Sequence, residues 1–167
     1  MRRKAVTKGK VGKARAGYAK RYVRKGMTHT ELVNRAAKWL KNSFHCRAIL
    51  TELVAYTRSG ETPDAIGWVN NKSVLIECKL SKQDFCADQK KRSRLPYMPA
   101  LGHWRFYLTP PNLIDPKLIP ADWGLYEVHN QKIIHKGGIK YTNAGEPPFA
   151  SDRNSEVAML VSALSRK

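Results

Sequence analysis

Asp64, a twelve-residue spacer and then Glu77-Cys78-Lys79 are the residues whose types and spacing could do chemistry together. Val74-Leu75-Ile76 ahead of Glu77 is an unbroken apolar run, which reads as a central strand covered on both faces. On such a strand Glu77 and Lys79 share a face and Cys78 points the other way. Ionised groups at the end of a central strand are costly unless paired or bound to metal. Asn70-Asn71 is a turn signal, because Asn tolerates positive φ, and it folds the segment from Asp64 back on this strand. With a two-residue turn, paired residue numbers sum to 141 and Asp64 faces Glu77; with a four-residue loop they sum to 143 and Asp64 faces Lys79. Either register brings Asp64 beside the pair, with Cβ atoms ~5 Å apart. Two carboxylates ~4 Å apart repel by ~4 kcal/mol at an effective dielectric of ~20, and a divalent cation removes that penalty. Hard oxygen ligands suit Mg²⁺ or Mn²⁺, which keep several waters and take substrate phosphates. Such an ion can supply the attacking hydroxide and stabilise charge on a pentavalent phosphate, while Lys79 orients or deprotonates the water or pairs with a phosphate oxygen. A helix capped by Ser81 would aim free N–H groups at the same place, which suits an anion. The parts converge on hydrolysis of a phosphodiester.

The elements that must position these groups follow from local patterns. Thr28-His29-Thr30-Glu31 is a capping box, and Leu32, Ala36, Trp39 and Leu40 continue it as one apolar helical stripe. A strand is expected over about Arg47 to Tyr56, with Ala48, Leu50, Glu52, Val54 and Tyr56 on one face, so that Glu52 sits among apolar neighbours. A loop from Thr57 to Pro63 leads into strands over Asp64 to Val69 and Ser73 to Leu80. A helix over Lys82 to Arg94 ends at Pro96 and Pro99. Trp104 to Leu108 reads as a fourth strand, Pro110 to Pro120 as a proline-rich connection, and Leu125 to Val128 with Lys132 to His135 as a short hairpin. A last helix starts near Ser155, with Val157, Leu160, Val161 and Leu164 at helical spacing. No internal repeat is present. The order helix, three strands, helix, strand argues for a mixed α/β sheet with flanking helices.

At 167 residues, 42% hydrophobic and 26% charged, the chain has globular values and is long enough to bury a core; whole-chain disorder, collagen and coiled coil are excluded. No apolar run approaches the ~18 residues of a membrane span, and none follows the basic N-terminus as in a secretory signal. That acid-free N-terminus leaves an organellar transit peptide open. The net charge is +18, and residues 1–26 hold eleven Lys and Arg with no acid. Polyanions, nucleic acid first and anionic membrane second, are the partners such a charge attracts. Gly9, Gly12, Gly17 and Gly26 interrupt any helix in this segment, so it reads as a flexible basic arm. In it Tyr18 and Tyr22 lie among Lys20, Arg21, Arg24 and Lys25, so aromatics could stack on bases while cations meet phosphates. Lys90, Lys91, Arg92 and Arg94 form a second candidate phosphate-binding cluster. Cys46, Cys78 and Cys86 are odd in number and form no CxxC pair, which argues against a disulfide framework or zinc ribbon and for a reduced, intracellular protein. The five histidines lack ligand spacing and read as structural or surface residues.

Pro63-Asp64 and Glu77-Cys78-Lys79 resemble the PD-(D/E)xK nuclease signature. A longer set resembles the MmcB-like DNA-repair branch of that superfamily. It comprises Leu50-Thr51-Glu52-Leu53, Asp64, Ile76 to Lys79, Ser81, Asp84-Phe85, Asp88, Lys90, Phe106-Tyr107 before Pro110, and Gly124-Leu125 after Pro120. The resemblance spans about Thr28 to Lys136. It implies a restriction-endonuclease-like core, assigned to residues 27–141; the loop and C-terminal helix of 142–167, read from the sequence pattern, are expected to pack on it. It further implies Mg²⁺ or Mn²⁺ held by Asp64, Glu77 and the Cys78 backbone carbonyl, with Lys79 as the catalytic lysine and Glu52 in the active site. A DNA substrate is implied, with repair, recombination or phage DNA processing as the setting. RNA cleavage and a catalytically inactive nucleic-acid binder are the alternatives. No membrane partner or nucleotide cofactor is expected, a homodimer is allowed, and the expected location is the cytoplasm of a bacterial or phage-infected cell, nucleoid-associated through DNA. Lys91 stands where the family often has Trp, Leu95 to His103 is longer than usual, and the basic arm lies outside the pattern.

Overall fold

A computed structural model describes residues 26–58, 60–142 and 145–166. The arm cations Lys20, Arg21, Arg24 and Lys25 lie outside the described residues.

The chain enters through α1 (His29–Asn42), and its capping box forms in full: Glu31 N–H donates to Thr28 Oγ1, and Thr28 N–H donates to the Glu31 carboxylate at 2.8 Å. Strands β1 (Ala48–Thr51), β2 (Ala65–Val69) and β3 (Lys72–Cys78) are antiparallel neighbours. Helix α2 (Lys82–Asp88) then carries the chain across to β4 (Trp104–Thr109), parallel to β3. Next come β5 (Gly124–His129), parallel to β4, and β6 (Lys132–Gly138), antiparallel to β5; α3 (Arg153–Leu164) closes the chain. The sheet is six-stranded and mixed, with its strands in numerical order, and the protein belongs to the α/β class.

The β2–β3 hairpin has the tighter of the two expected registers. Val69 pairs with Lys72 and Ala65 with Ile76, so Asn70 and Asn71 form a two-residue turn, with φ of 48° and 61°. Both values are positive, as the twist-compatible hairpin turn requires. β3 is buried on both faces, as its apolar run predicts. On one face Val74, Ile76 and Cys78 meet Leu32, Ala36 and Leu40 of α1, with Phe44, Phe106 and Tyr126 in contact alongside. On the other, Leu75 joins Ile66, Tyr107 and Leu125 beneath Phe85 of α2 and Met159 of α3.

Three elements depart from the sequence pattern. β1 ends at Thr51, five residues early, because Glu52 adopts φ of 49° and breaks the alternation. Val54 and Tyr56 are consequently exposed loop residues. The expected helix to Arg94 stops at Asp88, and Arg92–Arg94 form a separate 3₁₀ turn. Helix α3 buries Ser155, Glu156 and Met159, and leaves Val157, Val161 and Leu164 more than half exposed. Its orientation is set by polar anchors, since Glu156 accepts hydrogen bonds from Trp68 Nε1 at 3.0 Å, Ser73 Oγ at 2.5 Å and Gly102 N–H at 3.2 Å.

Candidate active site

The site lies where β3 leaves the sheet. Continuing the β2–β3 register by one residue makes Asp64 and Glu77 cross-strand neighbours on the face that carries Ile66 and Leu75. Asp64 is anchored there: its Oδ2 accepts from the Cys78 N–H at 2.7 Å. Cys78 itself turns to the α1 side of the sheet. Burial, with Asp64 and Glu77 adding to it, drives the Cys78 thiol far above its usual range, so it is an inert core residue.

Glu77 and Lys79 share the opposite face and are both buried, with Lys79 Nζ 3.0 Å from Glu77 Oε2. They belong to a wider ion cluster. Asp88 Oδ1 stands 3.3 Å from Lys79 Nζ and 2.8 Å from Lys91 Nζ. Arg94 donates through Nε and Nη2 to Asp88 at 2.9 and 3.1 Å, reaches 3.1 Å from Glu77 Oε1, and pairs with Glu61. Glu61 in turn accepts from the Leu101 N–H at 3.0 Å. Tyr107, paired with Glu77 across the parallel β3–β4 ladder, donates its hydroxyl to Asp88 at 2.9 Å. Asp84 sits at the rim, 3.9 Å from Lys79 Nζ.

Burial and neighbouring charge set the protonation states. Burial raises the Glu77 carboxyl, Arg94 and Lys79 oppose that rise without cancelling it, and Asp64 and Asp88 reinforce it. For Lys79, burial acts to lower proton affinity, but Glu77 and Asp88 outweigh it and hold the ammonium above its ordinary value. Burial alone would raise Asp88; the hydrogen bonds and charge of Arg94, then Lys79, hold it well below the carboxylate range. Lys79 is therefore a fixed cation near neutral pH.

Arg94 differs from its expected role. Its guanidinium is turned inward and pairs with Glu61, Glu77 and Asp88, so it is not part of an exposed basic cluster with Lys90, Lys91 and Arg92. The inward turn that lets it reach Glu61, Glu77 and Asp88 also accounts for the early end of α2. Lys90, Lys91 and Arg92 are exposed, and only Lys91 reaches the cluster. α2 offers no free anion site at its start: it has seven residues, and Ser81 Oγ takes the Asp84 N–H at 3.1 Å.

Glu52 is brought near Asp64 by a route other than an apolar strand face. Its N–H donates to the Asp64 carbonyl at 3.1 Å, and its half-exposed carboxylate lies 3.4 Å from His29 Nε2. The same imidazole nitrogen is 3.4 Å from Asp64 Oδ1. His29 thus bridges two acids at the mouth of the site. Sequence reasoning assigned it a structural or surface role; the available signal was its place directly after the Thr28 cap, which fixes it at the N-terminus of α1. Glu61 carried no signal in the sequence, because its partners Arg94 and Leu101 are 33 and 40 residues away.

Among the described residues, no group of three or more His, Cys, Asp and Glu side chains is arranged to hold a metal ion. The donor set nonetheless fits the mode in which Mg²⁺ is bound by one or two carboxylates plus waters and substrate phosphate. Glu77 Oε1 is buried and makes no hydrogen bond among the described residues, although Arg94 Nη2 is close by. Asp64 supplies a second carboxylate at the mouth, 18% exposed. A cation between them would relieve both the burial of Glu77 and its repulsion with Asp64.

No protein-family model matches the chain, and no curated protein matches it significantly. Among solved structures the chain is similar to the SPO1766 protein of unknown function from Silicibacter pomeroyi. The two share 24% identity and a TM-score of 0.56, over 81% of this chain and 85% of that one. At that identity the likeness establishes the α/β fold alone.

Proposed function

We propose that the protein is a Mg²⁺- or Mn²⁺-dependent nuclease that hydrolyses phosphodiester bonds in DNA, built on a restriction-endonuclease-like core as the MmcB-like resemblance implies. The observation that carries this reading is the hairpin register that sets Asp64 opposite Glu77, with Lys79 hydrogen-bonded to Glu77 on the same face. Asp64, Glu77 and the Cys78 carbonyl would hold the ion. When bound, it polarises the phosphate and lowers the pKa of an attacking water. The chain's own groups do the rest. Lys79, 3.0 Å from Glu77 and 3.3 Å from Asp88, would orient the attacking water or stabilise negative charge as it develops on a non-bridging phosphate oxygen. His29 Nε2 lies 3.4 Å from both the Glu52 and the Asp64 carboxylates at the mouth. Lys91, half exposed beside Asp88, is placed to meet an incoming phosphate.

The experiment is a panel of labelled DNA and RNA structures incubated with and without Mn²⁺. Cleavage of DNA that requires Mn²⁺ or Mg²⁺ and is lost in Lys79→Ala, with circular dichroism unchanged, is expected. Equal cleavage by the variant contradicts the assignment.

A further inference from the structure

We propose that an unpaired DNA strand binds along the crevice between α1 and the Pro110-Pro111 and Asn130-Gln131 turns, with one nucleoside in each of two adjoining cavities and the phosphate between them held by Arg35 and Lys38. The first cavity, about 670 Å³, opens between α1 and the Pro110-Pro111 segment, and Leu80, the residue after Lys79, lines it. The second, about 550 Å³, continues along α1 toward Ser43 and is lined by Trp39 and Ile133. Arg35 and Lys38 line both.

Charge and chemistry choose the occupant. Arg35 is fixed in the shared wall because its guanidinium donates to the Asn130 carbonyl across the groove, and Lys38 is exposed beside it. Glu31, an acid on the first cavity's wall, is turned back to the Thr28 N–H at 2.8 Å. The first cavity has an apolar floor in Met27, Leu80 and Val128, with the Asn34 amide on its wall. In the second, Trp39 is partly buried, its inner side against Phe44 and Tyr126. Apolar and aromatic surface beside paired cations is how a single strand is gripped: bases stack and phosphates meet charge. A duplex keeps its bases stacked inside and presents phosphates outward, so it cannot fill concavities of this kind. Residues 1–25, which carry eleven Lys and Arg, join the chain at Gly26 on the rim of the first cavity; their charge adds attraction for a polyanion and disfavours the segment itself as the occupant. The inference deepens the nuclease reading by naming the form of substrate, and it rests on that reading for the identity of the polyanion.

The test measures binding in EDTA, where cleavage plays no part, with full-length protein at ~200 mM salt. Fluorescence anisotropy follows a fluorescein-labelled mixed-sequence 20-mer and a blunt hairpin duplex of equal phosphate count. Lys38→Ala is expected to weaken single-strand binding about five-fold or more and to lower the salt slope by about 0.7, with duplex binding unchanged. Lys117→Ala removes an exposed lysine outside both cavities and is expected to change neither. Photocrosslinking with 5-iodouracil in the single strand is expected to map to the peptide containing Trp39. An effect of Lys38→Ala no larger than that of Lys117→Ala, or crosslinks confined to peptides outside the two cavities, would overturn the proposal. The expected binding without Mn²⁺-dependent cleavage in separate assays would leave this inference standing and remove the nuclease reading.

Discussion

At the scale of single residues, the account turns on which charges are buried. Arg94 and Lys91 both touch Asp88, yet their worth should differ widely. Arg94 is enclosed and serves three carboxylates, so Arg94→Met strands buried acids and should cost about 3–5 kcal/mol. Lys91 is half exposed, and solvent screens its pair; Lys91→Ala should cost under ~1 kcal/mol. Urea titration of the two variants reads the difference, and similar midpoints would show that the cluster is not as closed as described. Asp88 makes a pH prediction with a definite sign. Its folded pKa lies below the unfolded value of about 3.9. The stability it contributes is therefore present above the unfolded pKa and lost as pH falls through the folded one. The Tm should drop as pH falls below about 4, and Asp88→Asn, already less stable at neutral pH, should show a shallower drop. Glu77 runs the other way: its folded pKa is raised, so stability is lost as pH rises through that value, which limits how much of the acid limb Asp88 alone explains.

At the scale of elements, the β2–β3 hairpin is the part on which the site depends. Its turn holds Asn70 and Asn71 in the left-handed region, and a one-residue slip would send Glu77 and Lys79 to the α1 face. Asn71→Ala should lower stability by roughly 1–2 kcal/mol, because Ala lacks the local hydrogen bonding that lets Asn adopt positive φ. Asn71→Gly should be neutral or slightly stabilising. Denaturant midpoints of the pair check this, and equal loss in both would locate the strain elsewhere. The hairpin was legible in the sequence because its determinants are local: an apolar run, a turn dipeptide and a period of two. The α1 capping box and the Asp64–Glu77 neighbourhood follow from the same kind of signal. What was not legible is long-range. The end of α2 is decided by Arg94 turning toward Glu61, and the seated face of α3 by Glu156 reaching Trp68, Ser73 and Gly102. Val157, Leu160, Val161 and Leu164 recur at helical spacing, but the face of α3 that is buried is set by polar partners, and Val157, Val161 and Leu164 are left exposed. The strand-face placement of Glu52 is what the structure overturns, since its positive φ ends the strand on whose alternation that placement relied, while its N–H still bonds the Asp64 carbonyl.

For the whole molecule, two features have to work together. The chain carries +18, while five of its thirteen acids, Glu61, Asp64, Glu77, Asp84 and Asp88, gather near the end of β3 among Lys79, Lys91 and Arg94. On the nuclease reading, the basic charge would concentrate polyanions at the surface and the acidic pocket would take the divalent cation. The parallel strands β3, β4 and β5 end on the same side as that pocket, which is where ligands collect in open α/β sheets. The most direct test of the central claim uses Asp64→Asn, because Asp64 stands at the mouth, outside the buried ion cluster, and its isosteric amide should leave the fold intact. Single-turnover cleavage of labelled DNA in Mn²⁺ is compared for wild type and variant, alongside their thermal melts. The account predicts metal-dependent cleavage by the wild type that falls at least a hundredfold in Asp64→Asn (~2.7 kcal/mol of transition-state stabilisation) with Tm little changed. Undiminished cleavage in the variant, or none by the wild type in any divalent metal, would contradict it.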